Sequence, residues 1–281
     1  MSKRGWILFV ALGTIWGMPY LFIRIAVESL DPVVIAFGRT LIGALLLLPV
    51  AIHRKALAPA FRHWPAMLAF TIIEISGPWL LIGHAETRIN SSMTGLLIAM
   101  VPLLAAIISA WLGHEKLGAR RIAGLGLGFA GVATLVGLDV HVSDWLAVAA
   151  VAISSLGYAV GPIIINRKLR DAPSIGVITG SLLVATMLYA PFAILMWPAH
   201  ITIPAIASVA SLGVICTAGA FLVFFALIEE AGPARATVIA YVNPLVAVAL
   251  GVSFLGDPFT LGLASGFPMV IVGSILSTSK A

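Results

Sequence analysis

Long apolar stretches alternate with short polar segments along almost the whole chain. Ten stretches are long enough to cross a membrane as helices, because a hydrocarbon core about 30 Å thick needs about 20 apolar residues. Their predicted bounds are 6–27, 33–52, 64–84, 91–112, 120–138, 145–165, 174–197, 204–228, 234–254 and 260–278. The pattern predicts an all-α polytopic membrane protein with ten transmembrane helices and almost no soluble part.

The composition strengthens this prediction. Apolar residues make up 61% of the 281 residues and charged residues only 10%, which excludes a soluble domain of this size. The first apolar stretch follows Lys3 and Arg4, as in a signal peptide, but it is long enough to span and lacks a small-residue cleavage site. We therefore expect it to remain as the first helix. The single cysteine, Cys216, lies inside an apolar stretch and is interpreted as a core residue.

Basic residues fall almost entirely on one side of the predicted membrane. If the amino terminus is cytoplasmic, thirteen of the sixteen Lys and Arg residues are cytoplasmic: Lys3, Arg4, Arg54, Lys55, Arg62, Lys116, Arg120, Arg121, Arg167, Lys168, Arg170, Arg235 and Lys280. Arg88 lies on the other side, and Arg24 and Arg39 lie within apolar stretches. This is the positive-inside pattern, so both termini are expected to be cytoplasmic. The net charge of +5 does not indicate a nucleic-acid partner.

The stretch GLGFAG at 126–131 matches the glycine fingerprint of dinucleotide-binding proteins. That fingerprint functions only between a strand and a helix, whereas these glycines lie inside an apolar helix with no acidic residue about twenty positions later. Gly124 and Gly128 instead form a small-xxx-small pair, which Gly131 and Gly137 continue. We expect this face to pack closely against another helix.

An internal repeat appears when the sequence is shifted by 142 positions. The shift places Pro102 on Pro244 and Glu115 on Asp257. It also matches two further pairs of glycines, Gly124 with Gly266 and Gly131 with Gly273. Together these matches preserve a proline within a helix, an acid at a helix end and two glycines seven residues apart, which indicates duplication.

The repeat spans five predicted helices, so the second copy enters the membrane from the opposite side. The charges agree, because the basic loop after residue 113 corresponds to GDPFT at 256–260, which has no positive charge. We predict two inverted five-helix repeats, residues 1–140 and residues 141–281. Inverted repeats are typical of transporters, in which they alternate about a site near the membrane midplane.

The stretch GTIWGMPYLFIRIAVESLDPVVIAFGRTLIGALLLL resembles the first two helices of the drug/metabolite transporter superfamily. The two repeated blocks around Pro102 and Pro244 are similar to the fourth and ninth helices of its ten-helix EamA exporters. The chain looks most like bacterial exporters of aromatic and other neutral amino acids. This resemblance implies a ten-helix basket in a bacterial inner membrane that exports small metabolites without a cofactor.

Two ionisable residues lie deep within predicted spans. Glu74 is about 15 Å from the start of its helix, and Arg39 is about 10 Å from the outer end of its own. They either pair to lock two helices or face the cavity, where Arg39 would bind the carboxylate and Glu74 the ammonium of an amino acid. Arg24 lies near a helix end, where extension of its side chain to the interface is the favoured interpretation.

Aromatic and helix-breaking residues complete the candidate site. Substrate contacts are predicted for the residues Trp16, Tyr20, Arg39, Glu74, Trp79, Tyr158, Tyr241 and Asn243. Packing against lipid or other helices is the alternative for each aromatic residue. Pro102, Pro244 and Gly95 are predicted hinges, because proline removes a helical hydrogen bond and glycine relaxes the backbone.

Other function classes have weaker support. The six histidines lie in loops or near span ends, and the chain contains no HExxH or GxSxG string and no P-loop. An enzyme, a metal site and ATP-driven transport are therefore not expected. A proton-coupled exporter of lipophilic cations is the alternative, although the first span lacks the acid of the four-helix multidrug transporters. The expected partners are an amino-acid substrate and the lipid bilayer, with no nucleic acid, and a monomer is the simpler arrangement.

Overall fold

The computed structural model describes residues 2–113, 118–139, 144–232 and 237–278, without the side chains of residues 237 and 238. Some of the predictions above fall outside these ranges. They are the basic residues Lys116, Arg235 and Lys280, the repeated acid Glu115, the histidines His114 and His141, and the boundary between residues 140 and 141.

The described residues form nine helices long and apolar enough to span a membrane, and one shorter apolar helix. In chain order they are α1 Lys3–Ala26, α2 Pro32–His53, α3 Trp64–Glu86, α4 Ser91–Trp111, α5 Ala119–Asp139, α6 Trp145–Leu169, α7 Ser174–Leu195, α8 Ile203–Ala231, α9 Ile239–Leu255 and α10 Leu261–Thr278. The short helix Leu57–Phe61 lies between α2 and α3. The predicted fold class is confirmed.

Helix starts follow from local sequence signals. Asp31 accepts a hydrogen bond from the Val33 amide at 2.9 Å, and Asn90 accepts one from the Met93 amide at 2.8 Å, so polar side chains cap α2 and α4. Thr202 caps α8 in the same way. These caps satisfy amides that the helix leaves free and allow short connections between spans.

The bundle has two ends. Ser2 donates to Glu230 at the close of α8, and Tyr241 at the start of α9 bonds Thr278 at the close of α10. The end that carries these four residues is called the terminal end, and the opposite end is called the distal end.

The glycine face of α5 packs against α10, as predicted. A Cβ at Gly131 would lie 2.7 Å from the Gly266 carbonyl oxygen, and one at Gly124 would lie 2.8 Å from the Gly273 carbonyl oxygen. Gly124 matches Gly266 in the repeat and Gly131 matches Gly273, so each contact is the repeat image of the other. This reciprocity is what two-fold-related repeats require. The prediction for Gly137 is wrong, because nothing lies within 4 Å of its Cβ position.

The repeated prolines lie beside breaks in α4 and α9. The α-helical hydrogen bonding of α4 is interrupted at Ala99 and Met100 and resumes at Val101–Trp111, with Pro102 in its first turn. In α9 a 3₁₀ segment, Thr237–Tyr241, precedes the α-helical part Asn243–Leu250, in which Pro244 occupies the first turn. The two helices touch where Gly95 meets Ala247. Their hinge role stays a prediction.

Candidate functional site

Two π-helical segments interrupt α3 and α8 near mid-depth. They are Thr71–Ser76 and Val214–Gly219, and the repeat shift of 142 places one nearly upon the other. A π segment inserts an extra residue into a helical turn, and such insertions occur frequently at functional sites. Here one segment carries Glu74 and the other carries Thr217, which brings polar side chains into an otherwise apolar interior.

Arg39 is held between these helices. Its side chain is only 7% exposed, and its Nε atom donates to the Thr217 hydroxyl at 2.9 Å. The guanidinium carbon lies 3.6 Å from the centre of the Trp79 ring, which gives a cation–π contact. The Thr217 hydroxyl and the Trp79 ring together fix the plane of the guanidinium. Neither contact uses the two terminal Nη groups of Arg39.

Two tyrosines complete the surroundings of Arg39. Tyr20 on α1 is buried, and its ring lies against Gly95 of α4. Tyr158 on α6 is half-buried, and its side chain lies beside that of Trp79. Both tyrosines lie within electrostatic range of the guanidinium. The structure therefore brings Tyr20, Arg39, Trp79 and Tyr158 into one region, and their role in substrate binding stays a prediction.

Glu74 does not pair with Arg39. No ion pair joins them in the part of the chain that the structure describes, because Arg39 turns to Thr217 and Trp79. Glu74 lies on a different face of α3 and packs against α6, where a Cβ at Gly161 would come within 3.0 Å of the Glu74 Cβ. Its Oε2 atom is buried without a hydrogen-bond partner. The alternative that these two residues lock helices together is thus wrong.

Three of the predicted contacts lie elsewhere. The Trp16 ring packs against Phe221 and Phe224 of α8, with ring centres 6.1 and 5.1 Å apart. The Tyr241 hydroxyl donates to the Ser274 carbonyl at 3.2 Å, near the terminal end. Asn243, in the amide orientation that satisfies its neighbours, donates to the carbonyls of Gly13 and Ile239, both at 3.1 Å.

Trp16 is nonetheless the repeat image of a site residue. The shift of 142 places Trp16 on Tyr158 and Trp79 on Phe221. The contact between Trp16 and Phe221 therefore mirrors that between Tyr158 and Trp79. Two related aromatic pairs lie on either side of mid-depth, and the cation of Arg39 stands beside one of them alone.

A cavity opens at the terminal end. It has a volume of about 380 Å³ and is lined by Arg54, Ala56, Pro173, Ser174, Ile175, Phe225, Ile228 and Glu229. Thr217, Phe221 and Phe225 are spaced four residues apart on α8, so they share one face of that helix. This face leads from the cavity to the guanidinium of Arg39.

The distal end is closed by polar contacts between the two halves of the chain. Asp257, after α9, accepts three hydrogen bonds from the start of α4: one from the Ser91 hydroxyl at 3.0 Å, and two from the Ser92 amide and hydroxyl at 2.9 and 2.7 Å. Arg24 donates through Nη1 to the Glu86 carbonyl oxygen at 2.6 Å. Arg24 is half-buried, and the Glu86 carbonyl at the end of α3 gives it a buried acceptor. Its expected extension to the membrane interface is therefore wrong.

Sequence reasoning missed Thr217, Glu86 and Asp257 as site or closure residues. A signal existed for Thr217, since the repeat shift aligns its segment with the one that carries Glu74. Tyr189 on α7 also contacts this region, because its hydroxyl donates to the Ser76 carbonyl at 2.5 Å, inside the π segment of α3. No local pattern marks Glu86, which lies at a predicted span edge.

Comparison with known proteins agrees with this architecture. The profile of the EamA-like transporter family matches residues 3–137 and again residues 145–279. The chain is 28% identical to "Uncharacterized transporter YvbV" of Bacillus subtilis, with 100% of this chain and 93% of that protein covered. It is 27% identical to "Uncharacterized inner membrane transporter YedA" of Escherichia coli, with 88% and 81% covered.

A solved crystal structure has the same fold, with a TM-score of 0.72 at 20% identity over 99% of this chain and 98% of that one. The two family matches together cover nearly the whole length of the chain. The chain therefore belongs to the EamA-like transporter family and is a multi-pass membrane transporter.

Proposed function

We propose that the protein exports amino acids and related small metabolites from a bacterial cytoplasm by alternating access. The observation that carries this proposal is the buried Arg39, whose guanidinium is fixed by Thr217 and Trp79 with its terminal Nη groups left for a ligand. A guanidinium binds a carboxylate through two parallel hydrogen bonds, which suits an α-amino acid.

The aromatic residues around Arg39 suit the rest of such a substrate. Trp79 and Tyr158 offer ring faces and edges, and Tyr20 adds a third ring from α1. Aromatic side chains favour offset and edge-on contacts with one another, so an aromatic amino acid would gain most from this site. Glu74, which acts electrostatically on Tyr158, is the acid proposed to meet the substrate ammonium.

The terminal end is proposed to face the cytoplasm. The basic residues Arg54, Arg62, Arg167, Lys168 and Arg170 lie at this end, whereas Arg88 lies at the distal end. This distribution is the one that orients membrane proteins. The cavity beside Arg54 is then the cytoplasmic opening, and substrate would follow the Phe225, Phe221 and Thr217 face of α8 towards Arg39.

Movement of the two repeats, residues 1–140 and 141–281, is proposed to expose the site to either side in turn. In the present conformation the terminal end has a cavity, and Asp257 joins the repeats at the distal end through its bonds to Ser91 and Ser92. Export would require these bonds to open. The proposed unit is a monomer in the inner membrane, since the ten helices already enclose a site.

The second candidate function is proton-coupled export of lipophilic cations. It is favoured by one observation: within the described ranges Glu74 has no basic partner, and one of its carboxyl oxygens is buried without a hydrogen bond. An acid in that position can exchange a proton for a cationic substrate. In this alternative Glu74 is the exchanging acid and Arg39 is structural.

The test uses purified protein in liposomes preloaded with labelled phenylalanine, with and without an imposed proton gradient. Saturable release that does not need the gradient supports amino-acid export. Phenylethylamine, which lacks the carboxylate, serves as the matched cationic probe. Movement of phenylethylamine alone, driven by the gradient, would refute amino-acid export and support the second candidate.

A further inference from the structure

Glu86 ends α3 at the distal end, and none of the roles described above uses its side chain. The residue is 0% exposed, and among the residues that the structure describes neither of its carboxyl oxygens has a hydrogen-bond partner. Buried polar groups in proteins are almost always hydrogen-bonded. A carboxyl with both oxygens orphaned in this way therefore requires a physical explanation.

The neighbours of Glu86 have other partners. Arg24 donates through Nη1 to the backbone carbonyl of Glu86 rather than to its carboxyl, and Asp257 is engaged by the start of α4. Arg24 and Asp257 are the charged groups that act on the Glu86 carboxyl, and Tyr20 of α1 faces it as well. Helices packed against α3 also bring Asp31, at the start of α2, and Asp144, before α6, to this end.

These surroundings decide which form of the carboxyl fits the closed distal end. An ionised carboxylate here would be a fully buried charge without a hydrogen-bond donor, which is strongly unfavourable; Arg24 opposes this cost only from a distance, because it bonds the Glu86 backbone carbonyl, and Asp257 adds to it. A bound proton removes that charge. If the distal end opens, water reaches Glu86 and the guanidinium of Arg24 can turn from the backbone carbonyl to the carboxylate, which stabilises the ionised form.

We propose that Glu86 is a proton-binding site that must be occupied for the distal end to close, and that opening releases this proton to the solvent on that side. The closed state then binds one proton more than the open state. By linkage, acidic solution at the distal side favours the closed end, and alkaline solution favours the open one. This inference rests on the proposed alternating access, and it does not depend on which substrate is moved.

The test measures how accessible the distal end is at different pH values. Met93 is 5% exposed in the first turns of α4, so Met93→Cys in a Cys216→Ala background places one thiol behind the distal contacts. A membrane-impermeant maleimide is applied to the distal side over an acidic-to-alkaline series. At each pH the alkylation rate is divided by that of the same protein with Glu86→Gln, which cancels the pH dependence of the thiol itself.

We expect this ratio to rise severalfold from acidic to alkaline pH, because glutamine imitates the protonated acid and keeps the end closed. Glu28→Gln replaces an exposed acid of the same end and is the matched control. It should leave the rise of the alkylation ratio with pH unchanged. Arg24→Gln removes the cation that stabilises the ionised form, so it moves the rise to more alkaline pH. This variant also tests the proposal if Glu86→Gln folds poorly.

Two outcomes separate this site from the proposed function. A ratio that stays constant with pH, in protein that still transports phenylalanine, overturns the proton site and leaves the proposed function standing. A ratio that rises with pH, in protein that transports no amino acid, supports the proton site and overturns the proposed substrate.

Discussion

Replacing Arg39 with glutamine tests the proposed carboxylate site directly. The substitution removes the Nη groups proposed to bind the substrate carboxylate, together with the Nε bond to Thr217 and the contact with Trp79, and only the loss of the Nη groups depends on the inhibitor's carboxylate. A hydrogen bond to a charged group contributes about 1.5–3 kcal/mol. Because Arg39 is buried, little solvent is present to weaken it. We expect Arg39→Gln to weaken phenylalanine binding about tenfold to 150-fold.

The assay is competition against labelled phenylalanine in liposomes, with phenylalanine and phenylethylamine as unlabelled inhibitors. Wild-type protein should prefer phenylalanine, and Arg39→Gln should lose that preference while phenylethylamine inhibits as before. Arg88→Gln, at an exposed arginine of the distal end, is the control for loss of a positive charge. Equal weakening of both inhibitors by Arg39→Gln would show that Arg39 supports the fold and does not read the carboxylate.

Three further predictions concern packing and closure. Gly131→Val forces side-chain atoms onto the Gly266 carbonyl, so we expect destabilisation of about 1–3 kcal/mol, seen as a lower melting temperature in detergent. Gly161→Ala displaces the Glu74 side chain, and we expect slower transport by protein that elutes normally in size-exclusion chromatography. Asp257→Asn removes the charge that accepts bonds from the start of α4, so alkylation of Met93→Cys should become faster at every pH; an unchanged rate would contradict the assigned closure.

Much of the fold could be predicted because each span is a local property of the sequence. About twenty consecutive apolar residues form a membrane helix whatever surrounds them. The repeat follows from the constant separation of the matched residues along the chain. The packing of Gly124 and Gly131 was also predictable, since a small-residue face has few other uses in a membrane. The helical rise also placed Arg39 and Glu74 deep within their spans.

The sequence indicates how deep a residue lies along the membrane normal. It does not indicate how each helix is rotated or which helices are its neighbours, and the wrong predictions arise from these two unknowns. Arg39 and Glu74 have similar depths, but the rotation of α3 directs Glu74 to α6. Thr217 is 178 residues from Arg39, and no sequence pattern connects that pair. Trp16 lies at a suitable depth as well, yet α8 packs directly over its ring. Helix rotation and helix neighbours depend on the assembled bundle.

The π segments of α3 and α8 decide where these helices can lose a residue. Each holds a surplus residue, so deleting one residue within Thr71–Ser76 would restore regular α-helix. Because the wider π turn has already absorbed that residue, the parts of α3 before and after it would keep nearly the same relative rotation, and Trp79 would stay beside Arg39. The same deletion in the regular part Trp64–Phe70 would turn everything before it by about 100° relative to the rest of the helix. A one-residue deletion is therefore expected to be tolerated better in the π segment than in the regular helix of the same span.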